Sequence, residues 1–135
     1  MGFVLDGSVA LAAVLPDEAA GRAEALLLRS VQERAWAPSI WPFEVANALL
    51  MAQRRGRVTE AFRLQTLGDL RRLPVRIDGE GTAFAWSDVS RLAASHGLTV
   101  YDASYLELAL RLGLPLATLD RRLASAAQRE TIETL

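Results

Sequence analysis

Four carboxylates stand where short apolar runs give way to helix-forming sequence: Asp6, Glu44, Asp102 and Asp120. Asp6 follows Phe3-Val4-Leu5 and Asp120 follows Leu116-Ala117-Thr118-Leu119. Glu44 and Asp102 are embedded in apolar sequence, Trp41-Pro42-Phe43-Glu44-Val45 and Val100-Tyr101-Asp102-Ala103, where a solvated carboxylate is not expected. Each acid alone has a structural use, because Asp is a favoured N-cap and Glu in a first turn complements the helix dipole. Together they imply more. Two like charges about 4 Å apart repel by roughly 4 kcal/mol at an effective dielectric near 20, so a cluster of acids needs a proton or a cation. Hard oxygen donors with no His or Cys among them select Mg²⁺ or Mn²⁺ over zinc. Such a site suits metal-assisted phosphodiester hydrolysis, in which the metal activates a water and offsets charge developing on phosphorus. Ser8 adds a hydroxyl at the same place.

For the acids to meet, the elements that carry them must share an edge. The order of elements predicts that they do. Residues 3–5 read as a short strand apolar on both faces, which belongs in the middle of a parallel sheet. Asp6-Gly7-Ser8 breaks it, and an alanine-rich helix follows over 9–15. A helix starts at Pro16-Asp17-Glu18 and carries Ala23, Leu26, Leu27 and Val31 at helical spacing to about 34. Residues 35–38 form a strand closed by Pro38, and a helix over about 42–55 tolerates Pro42 in its first turn. Thr59 caps a helix over 60–73, residues 74–78 are a strand, and 79–97 read as one helix with Phe84, Val89, Leu92 and Ala93 inward. Residues 98–100 precede a helix over about 102–112, then come a strand over 115–118, a helix over 120–128 and a strand-like tail over 131–135. Strands alternating with helices make βαβ units, and right-handed crossovers put successive strand ends on one edge. The fold class expected is α/β, with a parallel sheet flanked by helices and a single domain over residues 1–135.

Composition narrows the function. The 135 residues, 51% hydrophobic, suit one domain with a real core. No apolar run is long enough to span a bilayer and no basic leader precedes the first one, so neither anchor nor signal peptide is expected and the cytoplasm is the default. Cysteine is absent, which excludes disulfides, thiolate nucleophiles and zinc ribbons. Lysine is absent as well, which removes the phosphate-binding loop that requires it and Schiff-base chemistry. A net charge of −1 means that any nucleic-acid contact relies on local arginines. Arg121 and Arg122 adjoin Asp120 and are the strongest candidates. Arg54, Arg55, Arg57, Arg71 and Arg72 are weaker ones. His96, followed by Gly97, reads as a helix C-terminus, and a Ser8 and His96 hydrolase lacks its Gly-x-Ser-x-Gly elbow. The helix over 42–55 is apolar nearly all round and invites a partner.

Over nearly its whole length the chain resembles the PIN-domain nucleases, and specifically the VapC-type toxins of bacterial toxin–antitoxin pairs. The resemblance lies in Phe-Val-Leu-Asp-Gly-Ser at 3–8, Pro-Phe-Glu-Val-Ala-Asn-Ala-Leu around Glu44, Leu-Thr-Val-Tyr-Asp-Ala-Ser-Tyr-Leu at 98–106 and Leu-Ala-Thr-Leu-Asp at 116–120. It implies a PIN-like three-layer sandwich with a five-stranded parallel sheet. It also implies a Mg²⁺-dependent endoribonuclease in which Mn²⁺ substitutes, a homodimer, and inhibition by a VapB-type antitoxin. Asp6, Glu44, Asp102 and Asp120 would be the catalytic, metal-binding acids, with Ser8 and Thr118 as supporting polar residues. Gly7 departs from the pattern, since the family often has a second hydroxyl there. A DNA-directed metal nuclease and a non-catalytic PIN-fold interaction module are the alternatives. A module of that kind would normally have lost an acid, and nothing in the residues separates RNA from DNA.

Overall fold

The strand that ends on Asp6 lies inside a parallel sheet. In the computed structural model, which describes residues 1–16 and 21–135, β1 (Gly2–Leu5) pairs on one side with β2 (Arg34–Pro38) and on the other with β4 (Leu116–Ala117), while β3 (Val75–Asp78) extends the sheet beyond β2. The order is β3-β2-β1-β4, and every pairing is parallel. Phe3, Val4 and Leu5 have no exposed surface, as a strand covered on both faces requires. The sheet has four strands and not the five expected. The tail contributes a single bridge, Thr134 beside Leu116, with the Leu116 amide donating to Glu133 and the Leu135 amide to Leu116. β4 is only two residues long and Thr131 turns the chain at a φ of 61°, so no longer ladder forms.

Helices flank this sheet: α1 (Gly7–Val14), α2 (Gly21–Gln32), α3 (Trp41–Arg54), α4 (Glu60–Arg71), α5 (Ser90–His96), α6 (Val100–Leu112) and α7 (Arg121–Arg129). The helix start expected at Pro16-Asp17-Glu18 falls on residues 17–20, outside the described ones. α6 packs against β1 and β2, with α5 and α7 beside it, and α1 packs between α2 and α3. The expected cap is present at α4, where the Thr59 hydroxyl accepts from the Phe62 amide. α6 starts two residues before the expected position, because the Thr99 hydroxyl accepts from the Asp102 amide at 3.0 Å and so caps it. Asp102 is therefore the third residue of its helix.

The stretch 79–97 is not one helix. A 3₁₀ turn (Gly81–Phe84) and a π-helical turn (Ala85–Val89) precede α5. Gly81 packs so close to Asp78 that a Cβ there would lie 2.7 Å from Oδ2, and this approach fixes the chain before a regular helix can begin. Val89, Leu92 and Ala93 are buried as expected. His96 ends α5, but it is not a solvated ornament: its Nε2 lies 2.8 Å from Glu130 and ties α5 to the end of α7. α3 buries Trp41, Val45, Leu49 and Ala52 and leaves Phe43 73% exposed. Among the described residues no helix is long and apolar enough to cross a membrane.

Candidate active site

The strand order reverses at β1. From β1 the chain builds outward through β2 to β3 and then returns to the far side of β1 as β4, so the connections leaving β1 and β4 part at their carboxyl ends. Open α/β sheets bind ligands in the crevice formed there. Asp6 follows β1 at that point, and Thr118, Leu119 and Asp120 follow β4.

The two chain segments are stitched together by side-chain oxygens. The Ser8 hydroxyl donates to Asp6 Oδ2 at 2.7 Å, and the Thr118 hydroxyl donates to the same oxygen at 2.7 Å. The Leu119 amide in turn donates to Ser8 Oγ and the Asp120 amide to Thr118 Oγ1, each at 3.0 Å. Both hydroxyls converge on Oδ2, and among the described residues no donor reaches Oδ1. Asp6 occupies the N-cap position of α1 yet makes no capping hydrogen bond with its side chain. The ordinary use of an acid at a helix start does not account for it.

Glu44 lies in the first turn of α3, half-buried, and Oε1 accepts a 2.6 Å hydrogen bond from the hydroxyl of Tyr105 on α6. Asp102, in the first turn of the same α6, is half-buried and caps nothing, since its amide is the one capped by Thr99. Asp120 behaves differently. Its Oδ1 accepts from the Arg122 and Leu123 amides at 2.9 and 3.1 Å, so it is a true N-cap of α7 as well as a neighbour of the other acids.

The four acids share one electrostatic environment. Burial pushes the Asp6 carboxyl above its usual range; the Ser8 and Thr118 hydroxyls pull it down, and Asp102 and Asp120 push it up again. Burial likewise raises Glu44, against the bond from Tyr105, with Asp6 and Asp102 adding to the rise. Asp102 is raised by burial and by Asp120, with the Thr99 hydroxyl acting the other way. The charges that act on these three carboxylates are other carboxylates. Convergence is nonetheless incomplete: among the described residues no three acids close to within the distances of a metal cage.

The residues present fit a hard divalent ion. The donor set is carboxylate and hydroxyl oxygen, among the described residues one oxygen of the buried Asp6 has no protein donor, and the charges acting on Asp6, Glu44 and Asp102 are carboxylates. Mg²⁺ keeps several waters and takes only one or two carboxylates directly, so a preformed cage is not required. Of the sequence candidates, Asp6, Ser8 and Thr118 are in contact, Glu44 and Asp102 lie within electrostatic reach, and Asp120 joins them through its amide, which donates to Thr118, and through its charge. Arg121 and Arg122 are exposed beside it and hold no ion pair among the described residues. Tyr105 was not a candidate from sequence. Its signal was a tyrosine three residues after Asp102 on an apolar helix face, which places a buried ring on the side of the acid and a polar tip in need of a partner. Burial, followed by the bond to Glu44, pushes its hydroxyl far above the ordinary value, so it remains a donor.

Comparison with known proteins places this geometry among relatives. The family model described as "PIN domain" matches residues 3–129. Ribonuclease VapC3 of Pyrobaculum aerophilum is 35% identical over 124 residues, covering 92% of this chain and 93% of that protein. Ribonuclease VapC3 of Mycobacterium tuberculosis is 38% identical over 109 residues, covering 78% of this chain and 74% of that protein. Among solved structures, PAE2754 from Pyrobaculum aerophilum superposes with a TM-score of 0.69 at 28% identity, covering 93% of this chain and 79% of that one.

Proposed function

The chain belongs to the PIN-domain family, in its VapC branch, and from that premise we propose that it is a Mg²⁺-dependent endoribonuclease, the toxin of a VapBC-type pair, working as a single domain over residues 1–135. The observation that carries this is the carboxylates of Asp6, Glu44 and Asp102, raised by burial and by neighbouring acids, around an Asp6 whose Oδ1 has no donor among the described residues.

Asp6, Glu44 and Asp102 would hold the cation, with Asp120 contributing its charge from the cap of α7. When bound, Mg²⁺ supplies a water activated for attack and a counter-charge for the phosphate. Ser8 and Thr118 fix the Asp6 rotamer by occupying Oδ2, which leaves Oδ1 as the oxygen to take a ligand. The exposed Arg121 and Arg122 bind the RNA backbone beside the scissile phosphate, as arginine forks suit phosphate oxygens. RNA is preferred to DNA as substrate because the relatives carry the name ribonuclease. A VapB-type antitoxin and a second copy of the chain are the protein partners this reading expects, and the exposed Phe43 next to Glu44 is suited to such a contact.

The test is incubation of the purified chain with end-labelled RNA and with DNA, in Mg²⁺ and in EDTA, followed by mapping of the cut ends. Cleavage of RNA in Mg²⁺ that leaves 5′-phosphates and stops in EDTA is expected. Cleavage that persists in EDTA, or of DNA alone, would overturn the reading.

A further inference from the structure

Tyr105 is fully buried, and from α6 its hydroxyl reaches across to two other elements at the site. It donates to Glu44 Oε1 at 2.6 Å, and the Gly7 amide faces the phenol oxygen itself. That amide is the first of the donors left unpaired at the start of α1, so the phenol oxygen lies beside a helix end while its proton holds an acid. Glu44 needs holding. It has three side-chain torsions, it stands only in the first turn of its helix, and Asp6 and Asp102 both repel it. Without a donor on the inner side, its carboxylate gains by turning to water.

Gly7 completes the arrangement. A Cβ built there would lie 3.7 Å from Val45 Cγ2 and 3.8 Å from the Tyr105 hydroxyl, both ordinary contacts. The phenol oxygen therefore lies against the start of α1. We propose that Tyr105 is a positioning residue, whose hydroxyl holds the Glu44 carboxylate beside Asp6 and Asp102. This deepens the assignment of Glu44 as a metal ligand and rests on it.

Tyr105→Phe removes one oxygen and keeps the ring that fills the core. Mn²⁺ affinity, read by the paramagnetic resonance signal of free Mn²⁺, is expected to fall about 10–100-fold, the usual range for loss of an outer partner of a metal ligand. The fall should vanish in a Glu44→Gln background, because the hydroxyl acts only through that carboxylate. The cleavage defect of Tyr105→Phe should close as Mg²⁺ is raised, which a general packing defect would not do. If Tyr105→Phe binds Mn²⁺ like the parent while Glu44→Gln does not, the positioning role is wrong and the metal assignment stands. A loss that persists in the Glu44→Gln background also refutes the role. If the parent chain takes up no Mn²⁺, both readings fall.

Discussion

Arg111→Ala should be among the most destabilising single changes in the chain. The Arg111 guanidinium grips two buried carboxylates: Nη2 and Nη1 donate to Asp78 at 2.6 and 3.3 Å, and Nε and Nη2 donate to Glu107 at 2.7 and 3.2 Å. Asp78 and Glu107 are only 6% and 5% exposed, and the guanidinium also lies 4.9 Å from the centre of the Phe84 ring. Removing one partner of a buried pair costs about 3–5 kcal/mol, chiefly because the other charge is left without compensation. Two pairs share one cation here, so their costs do not simply add. For a domain of this size that is a fall in melting midpoint of about 10–20 °C. Arg111→Lys should recover only part of it, since a point charge cannot serve two carboxylate forks. The pH dependence has a definite sign. Burial raises Asp78, but Arg111 and the Glu80 and Gly81 amides outweigh it and hold the carboxyl below its usual range. Its contribution is present above the unfolded value of about 3.9 and is lost as pH falls through the lower folded one. Urea unfolding at several pH values should therefore show the gap between parent and Arg111→Ala narrowing below about pH 4. A gap under about 1 kcal/mol at pH 7, the size of a solvent-exposed pair, would refute the reasoning, as would a gap that widens in acid.

The acids give the opposite trend. Because Asp6, Glu44 and Asp102 are all raised, the folded metal-free chain binds more protons than the unfolded one, and calorimetry in EDTA should show stability falling as pH climbs from about 4. Asp6→Asn should flatten that slope and leave the midpoint at pH 7 level or higher, while Asp6→Asn, Glu44→Gln and Asp102→Asn each abolish cleavage. Mg²⁺ at ten times its dissociation constant should stabilise the parent by about 1.4 kcal/mol, a rise of a few degrees, whereas Na⁺ at equal ionic strength should not, and Asp6→Asn should lose most of the shift. Arg121→Ala with Arg122→Ala should weaken RNA binding and flatten its salt dependence by filter binding, with stability changed by less than about 0.5 kcal/mol for each.

Local chemistry was what the sequence made legible. Phe3-Val4-Leu5 reads as a central strand because it has no polar face, and Thr59 reads as a cap because its neighbours are helical. The same logic located Asp6, Glu44, Asp102 and Asp120 at the ends of elements. It could not say which of them merely caps, because that depends on where the side chain turns. Asp120 bonds the amides of its own helix, while Asp6 bonds Thr118, which arrives from 112 residues away. Tyr105 with Glu44, separated by 61 residues, and Arg111 with Asp78, separated by 33, escaped for the same reason. The helix expected over 79–97 failed because the apolar spacing was right but the close approach of Gly81 to Asp78 was invisible. The tail failed to become a fifth strand because β4 offers only two residues to pair with.

Anomalous diffraction from crystals soaked in Mn²⁺ tests the central claim most directly. The account predicts a peak in the crevice between β1 and β4, about 2.0–2.3 Å from Asp6 Oδ1 and from at least one of Glu44, Asp102 and Asp120, with water completing the shell. A crevice without a peak at saturating Mn²⁺, or a peak held instead by Asp78, Glu80 and Glu107, would contradict it.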